Sequence, residues 1–324
     1  MIEISELTKY YGTRKAVGPL SFTIDKGEVV GLLGLNGAGK TTTLRMLSSD
    51  LLPTSGQMLV DGLDLAEVPE KVRPRIGYLP DKPPLYGEMT VREYLVFAGQ
   101  LRGMKGSLDK RVNEVIDTTD LGEYADEPID TLSHGFRQRV GIAQAIVHKP
   151  ALLLLDEPIS GLDPVQIVEM RALIRSLRGD HTIVLSSHIL SEISETCDRL
   201  LVIRDGEIVA SGSEQELSTQ MAAAKSFRVA VRAPGSYRDA PFEAVVKVLE
   251  AIDGVERVTQ VQVPLITSPG ETDVIAASVA ATLDVRELAV KRLVEADFGV
   301  LGLERTGKEL ERVFLQLTGK EAAA

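Results

Sequence analysis

The 324-residue chain has no tryptophan, one cysteine and four histidines, and aromatic residues make up only 4% of it. Cys197 has no second cysteine to pair with, which excludes an internally disulfide-stapled fold and makes a reducing, cytoplasmic setting the expectation. Long apolar runs are missing as well. The longest obvious one, residues 151–155, has the length of a strand and falls far below the ~20 residues of a membrane-spanning helix. The opening MIEISELTKYYG lacks the basic start and apolar stretch of a secretory signal. Positive charge is in deficit: 36 Lys and Arg against 47 Asp and Glu leave a net charge of −11, which argues against a nucleic-acid partner. No internal repeat marks a duplicated half. What is present, 44% apolar and 26% charged residues in a chain of two-domain length, is an ordinary globular composition with enough material for a core.

Over residues 1–220, short apolar or β-rich runs alternate with helix-like segments. Strands are expected at 28–34, 76–79, 151–156 and 182–187, and a helix at 40–47. This alternation predicts an α/β core around a largely parallel sheet. A mainly helical insertion, about residues 85–147, interrupts it. The pattern changes near Met221-Ala-Ala-Ala-Lys225. From 225 to 324 the expected order is strand, helix, strand, strand, helix, strand, with a last helix at 310–317. That is the split βαβ order of a small ferredoxin-like α+β domain. It holds no cysteine or histidine and no recognisable site, so an accessory or regulatory role is expected of it.

Gly34-Leu-Asn-Gly-Ala-Gly-Lys40-Thr41 matches the P-loop pattern G-x-x-x-x-G-K-[ST], with an apolar strand before it and a helix after it. The glycines let backbone N–H groups turn inward around phosphate oxygens, and the helix points its positive end at the same place. Asn36, Gly37, Ala38, Gly39, Lys40, Thr41 and Thr42 are therefore candidate nucleotide contacts. Lys40 reaches for the outer phosphates, and the Thr41 hydroxyl is a candidate ligand for Mg²⁺. Downstream, four leucines run into Asp156 and Glu157. A buried strand would present Asp156 at its carboxyl end, where open α/β sheets bind ligands. Asp156 there is suited to hold the metal, and Glu157 to polarise an attacking water.

With these motifs in order, the chain resembles the nucleotide-binding domains of the ABC ATPase family over about residues 1–220. Leu132-Ser133-His134-Gly135-Phe136-Arg137-Gln138-Arg139 is similar to the family signature, Ser160-Gly161-Leu162-Asp163 to its D-loop, His188 to its switch histidine, and Tyr11 to the aromatic that stacks on adenine. The resemblance implies that two such domains sandwich ATP and Mg²⁺ head to tail. Lys40, Thr41, Asp156, Glu157 and His188 of one copy would act on a γ-phosphate over which Ser133 and Gly135 of the other close. Asp163 would communicate across the dimer. Catalysis is thus expected of Glu157, His188 and Lys40, and metal binding of Thr41, Asp81 and Asp156.

Two departures stand out. Most members carry glutamine after Gly-Tyr-Leu-Pro, whereas this chain has Asp81, a shorter, anionic group. In the signature, His134 replaces a glycine and Phe136 a glutamine. These features resemble an export subfamily (gliding-motility, drug-export and nitrous-oxide-accessory types) whose motor is separate from its membrane permease. A homodimer at the inner face of the membrane is then expected, docked on that permease through the helical insertion. The alternatives are an importer motor or an ABC ATPase without a permease. A translation factor of this family would have paired motors and a charged linker, and a chromosome ATPase would have a long coiled coil. Neither feature is visible here.

Overall fold

The computed structural model describes residues 2–106, 108–221, 227–234, 241–261 and 274–305. They form two compact units that divide between Glu214 and Gln215. The composition change at Met221 coincides with the end of the helix Glu214–Met221.

The first unit is built on a six-stranded sheet in the order Glu207–Gly212, Arg199–Arg204, Val29–Leu33, Thr182–Ser187, Leu152–Leu155, Ile76–Leu79. All neighbours run parallel except the edge strand Glu207–Gly212. Val29–Leu33, Leu152–Leu155 and Thr182–Ser187 are buried along their whole lengths, as strands covered on both faces must be. The wholly apolar sequence of Leu152–Leu155 follows from that, while Thr182–Ser187 buries Thr182, Ser186 and Ser187 as well. Leu152 and Leu154 face a core shared with Ile2, Leu20 and Leu44. Leu33 pairs with Ser187 and Leu155 with Leu185, so at the carboxyl ends of the strands Gly34 is level with His188 and Asp156 with Ser186.

A second, antiparallel sheet, in the order Arg14–Ile24, Ile2–Tyr11, Ser55–Val60, Leu63–Asp64, was not expected from the sequence. Its central strand begins with the inward–outward alternation of Ile2 and Ile4, but register shifts between Ile4 and Leu7 and between Leu7 and Lys9 break the period of two. Tyr11 and Arg14 pair at the hairpin end.

Between the strands Ile76–Leu79 and Leu152–Leu155 lie the helices Val91–Leu101, Leu108–Thr118 and His134–Ile146, within the insertion expected at 85–147. A capping box formed by Thr90 and Glu93 starts the first of them. Among the described residues, no helix is long and apolar enough to cross a membrane.

The second unit has the strands Phe227–Arg232, Val255–Val261, Val274–Ala281 and Gly299–Arg305, with helices Pro241–Glu250 and Arg286–Glu295. The sheet order, Val255–Val261, Val274–Ala281, Phe227–Arg232, Gly299–Arg305, is antiparallel throughout and is the ferredoxin-like arrangement. Phe227, Val229 and Val231 alternate inward and meet Val245 and Leu249 of one helix and Ala289 and Leu293 of the other. The helix expected at 310–317 lies outside the described residues. The architecture is an α/β core with a helical subdomain, plus a small α+β unit.

Candidate functional site

Gly39 precedes the helix Lys40–Leu47 with φ of 107°, in the left-handed region that favours glycine. A Cβ there would lie 2.9 Å from Val17 Cγ2 and 3.0 Å from the Ala16 carbonyl, so glycine is also required by space. No side chain caps this helix, and no acidic residue occupies its first turn. Its first-turn N–H groups therefore keep their positive character on the side where Gly37, Gly39, Lys40, Thr41 and Thr42 line a cleft of about 850 Å³. Asn36 lines it too, whereas Ala38 does not. The Ala38 side chain is buried, and its N–H donates to the Leu35 carbonyl at 3.1 Å.

Lys40 is only 5% exposed. Its ammonium donates to the Gly34 carbonyl at 2.8 Å and lies 3.2 Å from Glu157 Oε1. The other Glu157 oxygen is 2.8 Å from His188 Nδ1. Glu157 itself has φ of 50°, a conformation uncommon outside glycine. Its N–H donates to Ser186 Oγ at 2.9 Å, and that hydroxyl donates in turn to Asp156 Oδ1 at 2.6 Å. Ser186 thus fixes both consecutive carboxylate residues. It was not among the residues singled out from the sequence, although strand alternation places it two residues before His188.

Asp156 is fully buried. Burial pushes its carboxyl above the usual range. Hydrogen bonds from Ser186 and Thr41 offset this, and the nearby Glu157 and Asp81 add to it. Thr41 Oγ1 lies 3.2 Å from Asp156 Oδ1, while Oδ2 has no hydrogen-bond partner. A buried carboxylate oxygen left in this way is suited to a cation or a water bound to one. Thr41, Asp81 and Asp156 line a single cavity beside the cleft. Among the described residues, no group of three or more His, Cys, Asp or Glu side chains forms a metal site by itself. A hydroxyl and carboxylates beside a phosphate-binding loop instead suit Mg²⁺ carried with a nucleotide, because this ion keeps several waters and is commonly shared with substrate phosphates.

Tyr11 is 49% exposed at the mouth of the cleft, with Arg14, Lys15 and Asp205 nearby in the lining. The last three were missed because nothing in their local sequence marks them; the unexpected sheet delivers Arg14 and Lys15. Glu157 and His188 also line the cleft, but Ser133, Gly135 and Asp163 do not. Ser133 caps the helix His134–Ile146, its Oγ accepting from Phe136 N–H. Asp163 caps Pro164–Ser176 through Oδ1, which accepts from Val165 and Gln166 N–H. The sequence thus marked two groups of residues, and one copy of the chain brings only the first together.

Fold and site together define a P-loop nucleoside-triphosphate hydrolase. Residues 17–160 match the family described as "ABC transporter". Over 322 residues the chain is 30% identical to the linearmycin resistance ATP-binding protein LnrL of Bacillus subtilis, spanning 99% of both chains. It is 40% identical over 211 residues to the bacitracin transport ATP-binding protein BcrA of Bacillus licheniformis, covering 64% of this chain and 68% of that one. A solved ATP-binding subunit of an ABC transporter aligns with a TM-score of 0.61 at 30% identity, over 68% of this chain and 92% of the other. The fold is shared, at 24% identity and a TM-score of 0.61, with a dimeric, post-hydrolysis ATP-binding cassette bound to ADP and Pi, over 66% of this chain and 98% of the other. The chain belongs to the ABC transporter family, as an ATP-binding subunit with ATPase activity.

Proposed function

We propose that this chain is the motor of an exporter whose membrane-spanning part is a separate protein, and that it works as a homodimer closed around ATP and Mg²⁺. The observation that carries the reading is Glu157, held between Lys40 and His188 beside the buried Asp156. On this reading Glu157 accepts a proton from the attacking water, and His188 orients it through the 2.8 Å bond to Oε2. Lys40 leaves Glu157 for phosphate oxygens when nucleotide binds, which frees the carboxylate for its role. Asn36, Gly37, Gly39 and Thr42 hold the phosphates through the loop backbone and the helix N-terminus, and Tyr11 offers its ring to the base. Mg²⁺, when bound, neutralises phosphate charge, and Thr41, Asp81 and Asp156 are the residues that would hold it. Ser133, Gly135 and Asp163 serve the neighbour's nucleotide, which accounts for their lying outside the chain's own cleft. The second unit is read as an accessory or regulatory domain. Export is favoured by the likeness to LnrL along nearly the whole chain, together with the likeness to BcrA.

Asp81→Ala is expected to raise the Mg²⁺ concentration for half-maximal turnover by about tenfold, roughly 1.4 kcal/mol, with ATP affinity in the absence of metal unchanged. Equal Mg²⁺ dependence in the two proteins would remove Asp81 from the metal site. The transport reading is tested by extracting membranes in detergent from the native host, with tagged Glu157→Gln protein, ATP and Mg²⁺ present. Recovery of a multi-span membrane protein in stoichiometric amount is expected. Recovery of the chain alone would favour an ABC ATPase without a permease.

A further inference from the structure

The residue by which this chain departs most visibly from the family signature, His134, touches the loop of its own catalytic carboxylate. His134 Nε2 donates to the Ser160 carbonyl at 3.1 Å, a bond that assigns the ring proton to Nε2. The N–H of Ser160 donates at 3.1 Å to the carbonyl of Glu157, and Ser160 also lines the nucleotide cleft. Two hydrogen bonds and a single residue therefore connect Glu157 to the first turn of the helix His134–Ile146. Gly161, with φ of 74°, lies against the same ring: a Cβ there would come within 3.4 Å of Nε2.

The contact is the first of several along one seam. At Gly135 a Cβ would approach the Gln166 side-chain carbon to 2.8 Å, so the signature glycine is packed against the first turn of Pro164–Ser176. Further along, Arg139 Nη2 donates to Glu169 Oε2 at 2.7 Å. The signature helix is thereby joined to the segment from Glu157 to Asp163 through Ser160, and to the helix Pro164–Ser176 through Gln166 and Glu169. Glycine, the residue that the resemblance leads one to expect at 134, has no side chain with which to reach Ser160.

We infer that His134 is a positioning residue that couples the two nucleotide sites of the dimer, by transmitting closure of this chain's signature over the neighbour's nucleotide to Glu157 in its own site. The inference rests on the dimer reading above, in which Ser133 and Gly135 act on the neighbour. Positive coupling between two sites gives a Hill coefficient between about 1 and 2.

The test compares the full-length wild type with His134→Gly and His134→Gln, measuring phosphate release against ATP concentration. Glutamine can place its amide Nε2 near the position of the ring Nε2, so it keeps the donor without the ring. The wild type should hydrolyse ATP with a Hill coefficient above about 1.5. His134→Gly should fall to about 1, with ATP affinity of the isolated chain unchanged within about twofold, and His134→Gln should recover most of the cooperativity. ATP-driven association of the three proteins, each with Glu157→Gln added, is measured alongside. If ATP drives association but His134→Gly is as cooperative as the wild type, or the wild type is not cooperative, the inference is overturned and the dimer reading stands. Loss of cooperativity that glutamine does not restore would assign the effect to ring packing and overturn the hydrogen-bond coupling. If ATP drives no association in the wild-type background, both readings fall.

Discussion

Glu157→Gln is expected to lower the turnover number for ATP by about 100- to 10,000-fold, the range over which a positioned general base contributes. The substitution keeps the size and shape of the side chain. An amide oxygen still accepts from His188 Nδ1, which lies 2.8 Å from the carboxylate, so the geometry around residue 157 survives. What is lost is the capacity to take a proton. ATP affinity should change by less than about fivefold, or roughly 1 kcal/mol, because the loop backbone, the helix N-terminus and Lys40 remain. Steady-state phosphate release and equilibrium nucleotide binding separate the two quantities. Turnover within tenfold of the wild type would show that another group accepts the proton.

Lys40→Ala should act on binding. Lys40 carries its ammonium at the base of the cleft at only 5% exposure, so solvent screens its charge weakly. Hydrogen bonds to charged partners contribute about 1.5–3 kcal/mol each, which corresponds to roughly 10- to 150-fold in affinity. A thermal or denaturant shift reads the change directly. At an ATP concentration near 100 times the wild-type Kd, bound nucleotide stabilises the fold by about 2.7 kcal/mol. If the variant's Kd is about 100-fold higher, the same concentration contributes only about 0.4 kcal/mol. A full ATP-induced shift in Lys40→Ala would contradict the assignment. The variant should remain folded, because Glu157 keeps its contact with His188 and the helix Lys40–Leu47 keeps its buried Thr43, Leu44, Met46 and Leu47.

The parts of the molecule that were legible in the sequence are those in which one local rule decides the outcome. Four consecutive leucines at 152–155 admit little but a strand buried on both faces, and the glycines at 37 and 39 have positive φ, as the P-loop pattern requires. The helix at 40–47 and the strands at 76–79 and 182–187 lie where the apolar periodicity puts them. The amino-terminal sheet was not legible because its central strand is irregular and its partner strands are half exposed, so neither period nor apolarity identifies it. Arg14 and Lys15 owe their place in the cleft to that sheet, and Asp205 to the turn between Arg199–Arg204 and Glu207–Gly212 of the six-stranded sheet. Ser186 is a different case. A serine at the end of an apolar strand carries no signal of its own, and its importance comes from the two hydrogen bonds that hold Asp156 and Glu157. From the sequence His134 is only a departure from the family signature, and the fold shows that its ring reaches Ser160.

Closure of the motor on ATP as a pair underlies the proposed function. It is tested most directly by the mass in solution of Glu157→Gln, by light scattering or sedimentation, with ATP, with ADP and without nucleotide. The single chain has a mass of 35.1 kDa. Twice that mass is expected with ATP, and the single-chain mass with ADP or without nucleotide. A mass unchanged by ATP at concentrations that saturate binding would contradict it, and with it the placement of Ser133, Gly135 and Asp163 on a neighbour's nucleotide.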